Sequence, residues 1–332
     1  MPQALAPIAA AVPVALEAVA ERARDYIREA KAANTRRAYA SDWQAFAGWC
    51  TATGLEALPA APETVGLYLA AQAETLRPGT LGRRLVAIAA AHRAAGQQLD
   101  TRHRAIRETL AGIKRQHGTA HQGKAPAIIA EIRRMVEAQP EGIAGTRNRA
   151  ILLLGFAGAF RRSEIARLDL EDLAFTAEGL IVTLRRSKTD QQGEGRKVGI
   201  PYGSTPATCP VRTLRAWIDA ANVTAGALFR EIGTGGQVVT AYLDAAGRRR
   251  GERLSDKSIA MIVKGAAKAA GLDPARYGGH SLRAGLATSA AAAGVTERAI
   301  MQQTGHRSVA MVRRYIRSGE LFRENAAAGV GL

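Results

Sequence analysis

RNRAILLLGFAGAFRRSEIARL, residues 147–168, decides the fold. From Ala150 to Phe160 the run is apolar nearly all round, which marks a helix covered on every side rather than one with a wet face. It stops at Arg161, well short of the roughly 20 apolar residues that a membrane span needs, so it reads as the central helix of a globular core. Just before it, Ile128, Ile132, Met135 and Val136 recur on one face of a helix that begins at Ala127. Beyond it the period changes from 3.6 to 2. Leu180 to Leu184 and Lys197 to Ile200 read as short strands flanking the turn-rich SKTDQQGEGR of residues 187–196, a hairpin with a long polar tip. Helical patterns return at residues 211–221, 258–270, 281–293 and 296–303. The expected class is mainly α with a small β-hairpin or sheet in the C-terminal part.

Upstream, the patterns are helical throughout. NTRRAYASDWQAFAGWC from Asn34 sets Tyr39, Trp43, Phe46 and Cys50 along one face, with Asn34 or Thr35 as cap. Further helices begin near Pro62, Thr80 and Thr101 and carry Val65, Tyr68 and Leu69, then Leu81, Leu85 and Ile88, then Ile106, Leu110 and Ile113. The aromatic stripe is read as core rather than as a base-stacking surface. Residues 119–126, TAHQGKAP, lack apolar periodicity and contain a glycine and a proline, so they read as a linker. The chain of 332 residues thus divides into a flexible arm (1–20), a helical domain (21–118), the linker and a second domain (127–332).

With 47% hydrophobic and 23% charged residues, extended disorder is excluded. The formal charge of +17, from 46 Lys plus Arg against 29 Asp plus Glu, points to a polyanionic partner. Both parts are basic: 15 basic and 10 acidic residues lie through Gly123, and 31 and 19 after it. Cys50 and Cys209 stand far apart without metal-ligand spacing around them, which argues against a disulfide scaffold or a zinc site and for a reducing cytoplasm. The N-terminal stretch has no basic residue before its apolar part and makes a poor secretory signal.

Four short strings carry the chemistry: AFRRSEIARL (159–168), SKTD (187–190), HSLR (280–283) and TGHRSVAMVRRYIR (304–317). Their order and spacing resemble the tyrosine recombinases, the phage-integrase family of site-specific DNA strand exchangers. The resemblance covers about residues 25–320, and its specific motifs lie in the second domain. It implies a helical core-binding domain and an α+β catalytic domain that close as a clamp on duplex DNA. It implies further a homotetramer on two sites and strand exchange through a Holliday junction; with two guanidiniums to neutralise the phosphate no metal or cofactor is expected, and with no long apolar run no membrane partner.

The same resemblance assigns roles. Tyr315 is the nucleophile that forms a 3′-phosphotyrosyl bond and leaves a 5′-hydroxyl; Lys188 on the hairpin tip protonates that leaving oxygen; His280 is a proton-transfer partner; His306 donates to a nonbridging oxygen; Glu164 orients the catalytic residues. Arg161 and Arg283 suit phosphoryl transfer for a physical reason, since each guanidinium can fork onto nonbridging oxygens and stabilise the extra charge of a pentacoordinate transition state. On a helix, His280 and Arg283 at i and i+3 share a face. A phenol ordinarily ionises near pH 10, so the nucleophile needs a base or a cationic field beside it.

Some positions depart from the family pattern: Arg162 replaces a small apolar residue, Met311 and Val312 stand where threonines are frequent, and an arginine, Arg317, stands two places after Tyr315 where many members have histidine. Lys197 on the returning strand competes with Lys188 for the general-acid role, and Tyr277 competes with Tyr315. Glu164 also reads as a plain i, i+3 ion-pair partner. His92, His103, His117 and His121 are assigned structural roles, and GRRR at 247–250 a solvated loop. A type IB topoisomerase, which shares the chemistry without paired sites, and a noncatalytic DNA-binding protein are the alternatives. Covalent adduct formation separates the last from both enzymes.

Overall fold

The computed structural model describes residues 14–29, 32–119, 123–185, 195–243, 245, 247, 249–251, 253–306 and 308–319. It divides into two compact units, Met1–Gln122 and Gly123–Leu332.

The first unit is helical: α1 (Val14–Glu29), α2 (Ala33–Thr53), α3 (Pro62–Ala71), α4 (Pro78–Ala94) and α5 (Arg104–His117). Helix α1 begins inside the stretch expected to be an arm, because nothing after Pro13 breaks a helix in this Ala-rich segment. The remaining four enclose Phe46, Cys50, Val65, Tyr68, Leu69, Leu81, Ile88 and Ile106, all at most 1% exposed. Helices α3 and α5 come so close that a Cβ on Gly66 would lie 2.7 Å from the carbonyl oxygen of Ala105. His92 is buried between two backbone groups: its Nε2 accepts the Ala60 N–H at 2.9 Å, so its Nδ1 carries the proton and donates to Ile88 O at 2.9 Å. A buried imidazole satisfied on both sides is a structural one.

The second unit runs α6 (Ile129–Glu137), α7 (Ile143–Ala157), α8 (Arg162–Arg167), β1 (Leu173–Phe175), β2 (Gly179–Leu184), β3 (Arg196–Pro201), α9 (Pro210–Ala220), β4 (Tyr242–Leu243), β5 (Arg249–Arg250), α10 (Asp256–Ala269), α11 (Ser281–Ala292), α12 (Glu297–Thr304) and α13 (Val309–Gly319). Helix α7 is its axis; Ile151, Leu152, Leu153, Leu154 and Phe156 are all buried. Gly155 lets two neighbours close on it, since a Cβ there would meet Leu282 Cδ1 at 2.7 Å and Ile165 Cδ1 at 2.8 Å. The sheet is antiparallel in the order β1-β2-β3, with Leu184 opposite Arg196 and Leu180 opposite Ile200.

Two expectations are corrected. Ile128 does not join the core face: Glu131 accepts its N–H at 3.0 Å and caps α6, so the helix starts at Ile129 with both isoleucines exposed. In the GRRR segment Arg249 and Arg250 are not loop but pair with Leu243 and Tyr242 as a two-residue ribbon. Among the described residues no helix is long and apolar enough to cross a membrane.

Candidate active site

Arg161 is set by the end of α7. Gly158, Ala159 and Phe160 make the turn into α8, and Ala159 adopts φ +50°, a left-handed conformation unusual for a residue with a Cβ. Arg161 is the N-cap of α8. Glu164, three residues on and 4% exposed, grips it twice: Oε2 accepts the Arg161 N–H at 2.8 Å and Oε1 accepts its guanidinium at 2.5 Å. The i, i+3 ion pair read for Glu164 is made with Arg161.

Arg283 lies in α11 and is 1% exposed. Its Nη1 donates to the carbonyl that the left-handed Ala159 turns toward it, at 2.8 Å. Its Nη2 is enclosed and meets no hydrogen-bond partner among the described residues. Burial, with the charge of Arg161, lowers its pKa to about 10. His280 is not inside α11 but at its N-cap, so it and Arg283 flank the first turn. Helix α11 is held at this height by the extended segment before α6: the Ala127 N–H donates to Ser281 O at 3.0 Å, and a Cβ on Gly285 would fall 1.8 Å from Ala127 O.

Helix α13 brings Tyr315 to the same place. Val312, fully buried against Ala287, Ala291 and Ile300, anchors the helix, and Tyr315 packs at the edge of that cluster. The Tyr315 hydroxyl lies 2.6 Å from His280 Nε2, and its ring centre 5.8 Å from that of His306. A phenol hydrogen-bonded to an imidazole in a field of guanidiniums can be deprotonated and can attack an electrophile. Tyr277 is placed otherwise: it is buried, its hydroxyl donates to Glu131 Oε1 at 2.7 Å, and burial with that carboxylate pushes its pKa up to about 12.

His306 follows the C-cap of α12, where Gly305 takes φ +66°. Burial lowers its pKa to about 4, helped by the charges of Arg283 and Arg161. Thr304 Oγ1, fully buried, lies 2.7 Å from His306 Nδ1 and 2.7 Å from Ile300 O. The Thr304 hydroxyl donates to the Ile300 carbonyl, so its oxygen accepts from His306 Nδ1–H; the neutral ring carries its proton on Nδ1, and Nε2 donates to a phosphate oxygen when the ring is protonated.

Arg161, Glu164, His280, Arg283, His306 and Tyr315 thus come together. Lys188 lies outside the described residues. Lys197 is exposed and on the opposite face of β3 from Val198 and Ile200. Sequence reasoning passed over Arg196, which shares the inward face with those two and reaches Gln303 O at 3.1 Å; strand alternation, begun one residue earlier, would have found it. Thr304 was missed as well. Among the described residues no cluster of acidic, His or Cys side chains could hold a metal ion.

The sequence profile of the Phage integrase family matches residues 129–320. The chain is 40% identical over 316 residues to the integrase/recombinase xerD homolog of Selenomonas ruminantium, spanning 93% of this chain and 89% of that protein. Its fold is similar to that of the XerH site-specific recombinase in a post-cleavage complex with palindromic difH substrate, with TM-score 0.58 and 16% identity over 81% of this chain and 72% of that one. It is also similar to a lambda integrase tetramer bound to a Holliday junction, with TM-score 0.56 and 14% identity over 90% and 76% of the two chains.

Proposed function

Because the chain belongs to the phage integrase family of tyrosine recombinases, DNA strand transferases, we propose that it cleaves and rejoins DNA at specific sites through a covalent bond to Tyr315. The observation that carries this reading is the 2.6 Å contact of the Tyr315 hydroxyl with His280 beside the buried guanidinium of Arg283. His280 takes the phenolic proton as the oxygen attacks phosphorus. Arg161 and Arg283 neutralise the nonbridging oxygens, and His306 donates a hydrogen bond to one of them; a preorganised donor of this kind typically contributes about 10²- to 10³-fold in rate. The 5′-oxygen leaves with a proton from Lys188, and the 3′-phosphotyrosyl bond conserves the energy for rejoining to another 5′-hydroxyl.

On this reading the chain works as a homotetramer on two duplex sites in the cytoplasm and passes through a Holliday junction. Support comes from the lambda integrase tetramer bound to a Holliday junction, whose fold is similar to that of this chain. Cleavage of a nicked suicide duplex carrying the native site tests the proposal. Wild type accumulates a covalent adduct, and Tyr315→Phe binds the duplex equally well but forms none; an adduct persisting in Tyr315→Phe overturns the assignment. Lys188→Ala cleaves ordinary DNA slowly and recovers on a 5′-bridging phosphorothioate, because a thiolate leaves without a proton. A deficit that is equal on both substrates removes Lys188 from the role.

A further inference from the structure

Arg196, at the start of β3, sits in the site with a pattern of contacts that repeats that of Arg283. Arg283 fixes one arm on the carbonyl of Ala159 at 2.8 Å, and Arg196 fixes one arm on the carbonyl of Gln303 at 3.1 Å. In both, the other terminal nitrogen, Nη2, is enclosed and meets no hydrogen-bond partner among the described residues. Gly305 packs directly on Arg196, since a Cβ there would lie 2.9 Å from Arg196 Nε and 3.0 Å from its Cζ. A buried guanidinium is costly unless an anion satisfies it. Among the described residues Glu164 is the carboxylate that acts on Arg196, and both its oxygens already serve Arg161. Among the described residues Arg161, Arg196 and Arg283 therefore share one carboxylate, and their positive charge adds to burial in lowering the pKa of His306. The missing anion has the chemistry of a phosphodiester.

We propose that Arg196 is a third guanidinium of the phosphate site: Nη1 holds the Gln303 carbonyl and so seats the turn that carries His306, while Nη2 donates to a nonbridging oxygen of the scissile phosphate. This rests on the strand-transfer reading above. It is distinct from Lys188, whose proton goes to the bridging 5′-oxygen, and from Lys197, which faces the other way.

The test compares wild type, Arg196→Gln and Arg196→Lys on a suicide duplex with an ordinary scissile phosphate and on the same duplex with a methylphosphonate there, which carries no charge on the nonbridging position. Cleavage is read as adduct plus any hydrolysed strand. Arg196→Gln is expected to cleave the ordinary phosphate about 10²- to 10³-fold more slowly than wild type. Arg196→Lys is expected to lose less, and the deficit of Arg196→Gln is expected to shrink sharply on the methylphosphonate, where there is less charge to neutralise. Wild-type rates in Arg196→Gln overturn the inference. So do equal deficits of Gln and Lys variants on both substrates, which would make Arg196 only a strut under the Gly305 turn. If Arg196→Gln does not fold, Arg196→Lys decides by the same comparison: a deficit unchanged by methylphosphonate overturns it. A wild type that forms no adduct on the ordinary phosphate fails differently, by removing the strand-transfer reading and this inference with it.

Discussion

The arginines and the tyrosine of the site stand on cores of unequal size. Arg161, Arg196 and Arg283 are carried by elements whose neighbours, Leu154, Phe160, Ile165, Val198 and Leu282, belong to the main core of the second unit and are at most 2% exposed. Tyr315 and His306 are carried by α12 and α13, which rest on the small cluster of Ala287, Ala291, Ile300 and Val312. Met311 and Val309, on the same helix as Tyr315, are exposed. The difference assigns separate physical tasks. Charges that must oppose a developing negative charge work best when already fixed, because nothing then reorganises at the moment of reaction. A segment held by few buried contacts opens at lower free energy than the core, so placement of the nucleophile is the step most easily gained or lost.

The comparison breaks first at stability. Leu154→Ala, in the main core, is expected to cost about 2–5 kcal/mol and to lower the denaturation midpoint of the second unit. Val312→Ala removes two methyl groups, about 1–2 kcal/mol at roughly 0.8 kcal/mol each. Its effect is expected locally, as faster amide exchange in α13 and slower cleavage with little change in midpoint. Equal exchange rates in α7 and α13 of the wild type would contradict the division. Thr304→Val sharpens it further. The variant keeps the shape but takes away the partner of His306 Nδ1, a net hydrogen bond worth about 1 kcal/mol; single-turnover cleavage is expected to slow by about fivefold, with melting lowered by a few degrees at most.

The smallest expected effect is in pH dependence. The folded pKa of His306, about 4, lies below its ordinary value of 6.5, so between these the unfolded chain takes up a proton that the folded one refuses. Stability is then present above pH 6.5 and is lost as pH falls toward 4. In thermal melts over this window without DNA, wild type should lose stability more steeply than His306→Gln, by a fraction of the full linkage because the ring is only partly enclosed. Parallel curves would remove the buried neutral imidazole from the account.

How much of this was legible in the chain depended on whether a feature is local. The all-apolar stretch through Leu154 and the switch to period 2 at Leu180 are local, and α7 and the β2–β3 hairpin follow them. The strings around Arg161, His280, Arg283, His306 and Tyr315 were legible through their resemblance to a family, and the fold brings those side chains together. What was not legible is tertiary. Ala159 enters the left-handed region because its carbonyl meets a guanidinium from 124 residues further along. Arg196 was lost because its strand was begun at Lys197, which reverses no face but omits the one inward cation. Ile128 looked like a core residue by spacing, yet the Glu131 cap starts the helix after it. Helix α1 was hidden by an Ala-rich composition that suits an arm and a helix equally well.

The most direct test of the central claim is to map the covalent bond itself. Wild-type protein is trapped on a nicked suicide duplex, the complex is digested with nuclease and trypsin, and the peptide bearing the nucleotide is sequenced by mass spectrometry. One modified peptide is expected, with the nucleotide joined through its 3′-phosphate to Tyr315, and a free 5′-hydroxyl on the released strand. A nucleotide on Tyr277 or any other residue, or a 5′-phosphate linkage, would contradict it.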